Sequence, residues 1–206
     1  MKIFASFLLL LLCNVTQAAT PCHVGKVIDI RGQASLLREA APNASLQKGM
    51  AVCQGDRFTT GVQGILRLRL VDGTLITVGK SSDFSLSQYR LDKKLPNIAT
   101  FDLLKGAFRM VTGAISQRAH RVEIKTAVAT IGVRGTDFWG GFGLSPDGAL
   151  DVVMLDGKGV YVSNAHGKVL LDVPGQGTTV QADGRLGAVK HWPQQKVSRA
   201  LVTITP

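Results

Sequence analysis

The sequence predicts an all-β protein: short, mainly antiparallel strands in two packed layers, wound like a solenoid into a β-sandwich, with a jelly roll as the alternative. Three observations lead there. Val, Ile and Thr together number 46 of 206 residues and Gly numbers 23, the mix expected of many short strands joined by tight turns. Acidic residues are lopsided, with 12 Asp but only Glu39 and Glu123, whereas exposed helix faces favour Glu. Asp-Gly, a strong tight-turn signal, occurs at Asp72-Gly73, Asp147-Gly148, Asp156-Gly157 and Asp183-Gly184.

The elements follow in order. Lys2 and the apolar run Ile3 to Val15, followed by Thr16-Gln17-Ala18, read as a secretory signal over residues 1–19, cleaved after Ala18 or Ala19. The run is short for a membrane anchor, which wants about 20 apolar residues. No later segment is apolar enough to span, so the cleaved chain is expected to carry no transmembrane segment and to reside in the periplasm or outside the cell. Residues 20–206 are expected to form one β domain with a C-terminal β extension. Cys22 and Cys53 are the cysteines left after cleavage. In an oxidising compartment the pair points to a disulfide, against the alternative of two buried thiols.

Val24 to Ile30 alternates, with Val27 and Asp29 expected on one face and Ile28 and Ile30 on the other. Ile65 to Val71 is clearer: Leu66, Leu68 and Leu70 share one face, Arg67 and Arg69 the other. Further strands are predicted at Thr74 to Val78, around Phe84 and Leu86, and at Ile98 to Leu104, Ala107 to Thr112 and Arg121 to Lys125. Thr136 to Phe142, Ala149 to Leu155, Gly159 to Val162, Lys168 to Val173 and Thr178 to Ala182 complete the set. A helical turn is allowed near Asn43 to Lys48, and Val111 to Arg118 reads equally as helix or strand.

The order of motifs from Gly25 to Val162 resembles the FecR-like domain family. Gly55-Asp56-Arg57-Phe58-Thr59-Thr60-Gly61 resembles that family's G-D-x-I-x-T-G turn, and Arg67 to Gly79, around Asp72-Gly73, its strand–turn–strand. Leu104-Lys105-Gly106 resembles its L-x-x-G hairpin. Gly132-Val133-Arg134-Gly135-Thr136-Asp137-Phe138 resembles its most distinctive stretch, and Leu155-Asp156-Gly157-Lys158-Gly159-Val160 the hairpin that follows. The resemblance implies an extracytoplasmic all-β domain that makes protein contacts, as in transmembrane regulators of iron-siderophore uptake. No counterpart of their anti-sigma helical domain and membrane span is expected here, the predicted signal peptide standing in their place. The implied function is therefore a non-enzymatic periplasmic interaction or sensing module without anti-sigma activity.

The net charge of +10 suits acidic partners. An envelope protein is the leading partner and an anionic polysaccharide the alternative, which would make the chain a polysaccharide-binding protein. Nucleic acid fits the charge but not the compartment. The four histidines form no metal-binding spacing, no cofactor motif is present and G-x-S-x-G is absent. Asp137 and Asp151 could serve as a carboxylate pair on paper, though turn or strand-end roles suit them better. Arg67, Arg69 and Arg134 are the candidate binding residues. Arg134 has a structural alternative, pairing with Asp137 or capping strand ends. Arg109, Arg118, His120, Arg121 and Lys125 form the densest basic stretch, to be read as a solvated surface or an anion site. Phe138 and Trp139 must face opposite ways in a strand, so one could be exposed, and an exposed Trp139 would be a recognition residue.

Overall fold

The computed structural model describes residues 22–38, 46–92, 94–117, 121–145 and 147–206. The export signal, Asn43 of the expected helical turn, and Arg118 and His120 of the basic stretch lie outside them. The strands are β1 (Cys22–Arg31), β2 (Ala34–Leu37), β3 (Ala51–Cys53), β4 (Arg57–Thr60), β5 (Ile65–Leu70), β6 (Leu75–Val78), β7 (Asp83–Arg90), β8 (Ile98–Lys105), β9 (Ala107–Val111), β10 (Arg121–Lys125), β11 (Thr130–Val133), β12 (Thr136–Phe142), β13 (Leu150–Gly157), β14 (Val160–Asn164), β15 (Gly167–Leu171), β16 (Gln176–Val180) and β17 (Lys190–His191). A 3-10 turn, Ala114–Gln117, follows β9, and a helix α1, Gln194–Val202, closes the chain.

Two sheets form. One has nine strands in the order β17-β16-β13-β12-β9-β6-β5-β1-β3, the other eight in the order β15-β14-β11-β10-β8-β7-β4-β2. Every strand pair is antiparallel except β8 with β10. The chain crosses repeatedly between the sheets while both advance in one direction. This is the solenoid-like winding expected, not the Greek-key return of a jelly roll.

The inward faces supply one continuous core. Leu66, Leu68 and Leu70, with Phe108 and Phe138 of the same sheet, share one buried cluster with Phe84 and Phe101 of the other. Phe108 meets Phe138 edge-on at 5.4 Å between ring centroids, a favoured aromatic geometry. A second, smaller core lies on the outer face of the nine-stranded sheet. There α1 and the residues around it bury Trp139, Val153, Ala107, Ala200 and Ile204.

Some local expectations are corrected. A β-bulge between Val27 and Asp29 breaks the alternation of β1. Val27 lies opposite Leu68 on the core side, Asp29 opposite Arg67 on the outer side, so Val27 and Asp29 do not share a face. Strands β2, β3, β4 and β11 are three or four residues long and too short to carry a period. The C-terminal extension keeps its strands but ends in α1, whose buried Ala200 and half-buried Val197 and Leu201 fall at helical spacing. Asp72-Gly73 and Asn164 to Gly167 are hairpin turns as expected. Lys105-Gly106 and Asp156-Gly157 are not: each carries the chain from one sheet to the other.

Candidate functional site

The glycine-rich motifs are where the chain changes sheet. At such a corner backbone groups leave one ladder before joining the next, so buried donors and acceptors need side-chain partners. Hydroxyls supply them. Thr60 Oγ1 accepts from Ser82 N–H at 2.9 Å and donates to the Gly79 carbonyl. Ser82 Oγ accepts from Ala107 N–H at 2.9 Å, directly after the Gly106 corner. Thr136 Oγ1 accepts from Gly159 N–H at 3.0 Å, and its hydroxyl lies 2.9 Å from the carbonyls of Arg134 and Gly159. A Cβ on Gly106 would sit 2.2 Å from Ser82 Oγ. Gly106, Gly135, Thr136 and Gly157 are therefore corner residues. Gly132 is not: it lies inside β11, and a Cβ there would meet nothing closer than Tyr161 Cβ at 3.9 Å. Its φ is not positive either, so it holds no special conformation.

The acidic residues of the motifs are also structural. Asp56, fully buried after Gly55, takes both forks of Arg38 at 2.7 Å and the Cys53 N–H at 2.8 Å, while Arg38 also reaches the Ala51 carbonyl at 2.8 Å. Together they cap the free edge of β3. Asp72 accepts from Thr74, the Tyr89 hydroxyl and Ile115 N–H. Burial first, and then the Asp72 carboxylate, push the Tyr89 phenol well above its ordinary range. Asp137 receives a bidentate fork from Arg109, at 2.8 and 2.6 Å, and not from Arg134. Arg57 and Asp83 form a third such fork at 2.7 and 2.6 Å. Hydrogen bonding to the carboxylate raises Arg38, Arg57 and Arg109 above the usual guanidinium value.

Trp139 is fully buried, which removes it as a recognition residue. Alternation does send Phe138 and Trp139 to opposite faces, but the outer face at that point lies under α1. The indole Nε1–H donates to Thr203 Oγ1 at 3.0 Å, and Trp192 lies edge-on at 6.4 Å. Asp151, also fully buried, accepts from Ser145 N–H, Thr179 Oγ1 and Lys196 Nζ at 3.0, 2.6 and 2.7 Å, the last tying α1 to the sheet. Asp151 lies opposite Gly141, four residues along β12 from Asp137, or about 13 Å at strand rise. The two carboxylates are apart, and each is already engaged.

What remains open on the nine-stranded sheet is its other half. Arg67 and Arg69 project outward from β5 and are exposed. Lys26 on β1 lies directly opposite Arg69, and His23, Lys26 and Arg69 line a groove of about 400 Å³. Among the described residues Lys26, Arg67, Arg69 and Arg134 form no ion pair, in contrast to the three forked arginines. Arg134 is exposed at the β11–β12 corner. Three strand spacings separate β12 from β5, about 14 Å, so Arg134 stands apart from the arginine pair. Lys26 and His23 are the site residues that reading the sequence did not single out. The cross-strand register that unites them with Arg69 is set by the Val27–Asp29 bulge. Cys22 and Cys53 are joined in a disulfide beside the groove. No group of three or more His, Cys, Asp or Glu able to hold a metal ion occurs among the described residues. None of their helices is long and apolar enough to cross a membrane.

Two crystal structures of a candidate anti-sigma factor from Parabacteroides distasonis ATCC 8503, at 2.50 and 1.65 Å resolution, share the fold, each with a TM-score of 0.56 and 17% identity. Each alignment covers 70% of this chain and 63% or 64% of the other, so this chain spans under two thirds of their length. No curated protein matches the chain. The family model described as FecR protein matches residues 56–159, half of the chain and the span that holds the corner motifs from Asp56 to Gly159, and the chain accordingly belongs to the FecR protein family.

Proposed function

We propose that this protein is a non-enzymatic interaction or sensing module of the periplasm, working by binding through the basic half of the nine-stranded sheet. The observation that carries the reading is the contrast among its arginines. Arg38, Arg57 and Arg109 are each held by an aspartate fork, whereas Arg67 and Arg69 form no ion pair on their exposed strand face, the Asp29 opposite Arg67 being engaged by Arg31. Membership of a regulatory family supports binding over turnover. The disulfide suits an oxidising compartment. Free rim arginines speed encounter with an acidic partner and make association salt-sensitive.

Affinity capture from a periplasmic extract, at low and high salt, tests this with wild type and the Arg67→Ala/Arg69→Ala/Arg134→Ala triple variant. All three side chains are exposed and unpaired, so the variant is expected to fold. The expected result is one captured protein, lost at high salt and in the variant. A partner indifferent to both removes the basic face from the mechanism. Saturable hydrolysis of an envelope substrate by the pure protein, abolished by changing one His or Asp, refutes the non-enzymatic reading.

A further inference from the structure

The groove beside the disulfide is a built feature. Gly25 lets β1 press against β5: a Cβ there would lie 2.5 Å from the Arg69 carbonyl and 2.9 Å from Leu70 Cα. The notch it leaves is floored by Gly25, Ala51 and Leu70, with Val71 exposed at its end. Its volume of about 400 Å³ falls within the ~300–1,000 Å³ of ligand clefts. His23 lines the rim from a backbone φ of 122°, a region that costs a non-glycine residue about 1–3 kcal/mol and that the adjoining Cys22–Cys53 bridge helps to hold.

Among the described residues no ion pair balances its charges. Lys26 and Arg69 are direct cross-strand neighbours, an arrangement that disfavours folding for like charges. At each of its forked arginines this protein places a carboxylate against the cation; among the described residues that line the groove there is none. The segment before Cys22 cannot supply one, because residues 1–21 contain no Asp or Glu. The occupant cannot join by extending the sheet at β3 either, since Arg38 and Asp56 already take the Ala51 carbonyl and the Cys53 N–H. It must lie across the face. Among the described residues no aromatic ring other than the His23 imidazole lines the groove, which disfavours a sugar that would stack there. A small apolar floor beneath two cations fits side chains that alternate between apolar and acidic.

We infer that this groove receives an acidic, partly apolar peptide segment of a protein partner, its carboxylate set between Lys26 and Arg69 and its apolar neighbour on Val71. The assignment rests on the protein-binding reading above and names the surface and the partner chemistry. The test is calorimetric titration of the oxidised protein with an alternating Val-Glu octapeptide, its Val-Gln counterpart, a polyuronate oligosaccharide and sodium sulfate. The Val-Glu peptide is expected to bind and the Val-Gln peptide to bind about two- to thirtyfold more weakly, the sum of two partly exposed charge contacts. Lys26→Gln/Arg69→Gln should reduce Val-Glu binding by about the same factor. Val71→Ser should weaken it, and Arg199→Gln, on the exposed face of α1, should leave it unchanged. Absence of Val-Glu binding, equal binding of the Val-Gln peptide, or indifference to the double variant overturns the assignment. So does a polyuronate or sulfate that binds as tightly without dependence on Val71. If the peptide fails while salt-sensitive capture is still lost in the arginine triple variant, the groove is wrong and the basic-face reading stands.

Discussion

Glycine shows at the level of single residues how differently one amino acid can be used in two successive motifs. Gly157 has a φ of +113°, and a Cβ there would lie 2.4 Å from the Gly135 carbonyl, so both conformation and space exclude a side chain. Gly132, four residues before Thr136, meets neither constraint. Gly157→Ala is expected to destabilise by about 2–4 kcal/mol through strain and overpacking. Gly132→Ala should instead stabilise by about 0.5 kcal/mol, because a strand glycine costs backbone entropy. Urea denaturation of both variants checks the pair, and equal effects would show that Gly157 is not a corner constraint. In the sequence the two look alike. Only the packing of one corner against the next separates them.

At the scale of elements, α1 decides which part of the nine-stranded sheet is free. It is nine residues long, too short for stable independent helicity, and is held by tertiary contacts: Ala200 and Ile204 against Trp139, Lys196 on Asp151, and Trp192 over Gly177. Ala200→Asp places a carboxylate in that small core. It should unseat the helix, at a cost of about 3 kcal/mol, while the two sheets stay folded as a separate cooperative unit. The measurement is tryptophan emission, which should shift to the red as Trp139 and Trp192 meet water, alongside an unchanged β signal in far-UV circular dichroism. Unshifted emission would mean that α1 tolerates the charge and is not clamped as described. The helix also explains the misplaced Trp139: strand alternation assigns a side chain to a face but cannot say that a segment some 60 residues later covers it.

For the whole molecule, among the described residues β3 and β2 are the edge strands at one end of the two sheets. The Cys22–Cys53 bridge, closing a sequence separation of 31 residues, and the Arg38–Asp56 cap on β3 protect that end. Breaking the bridge should lower stability by roughly 3–4 kcal/mol in the chain-entropy model. Melting of the oxidised protein against a Cys22→Ser/Cys53→Ser variant measures it. The double variant should also weaken peptide binding at the groove, since His23 adjoins the bridge; an unchanged melting temperature would assign the bridge no role in holding that end.

The all-β class, the longer strands, the inward leucines and outward arginines of β5, and the pairing of the two cysteines were legible in the sequence, because each follows from local periodicity, composition or count. The corner motifs were also visible as motifs, through their glycines and their resemblance to a family. Their role as sheet crossings was not, since a hairpin and a crossing use the same turn residues and differ only in which sheet the next strand joins. The tertiary structure alone chose Arg109 over Arg134 as the partner of Asp137, buried Trp139 beneath α1, and set Lys26 against Arg69 through a one-residue bulge. Each of these depends on register between distant strands, and a shift of one residue exchanges the faces of a strand while leaving its sequence pattern unchanged.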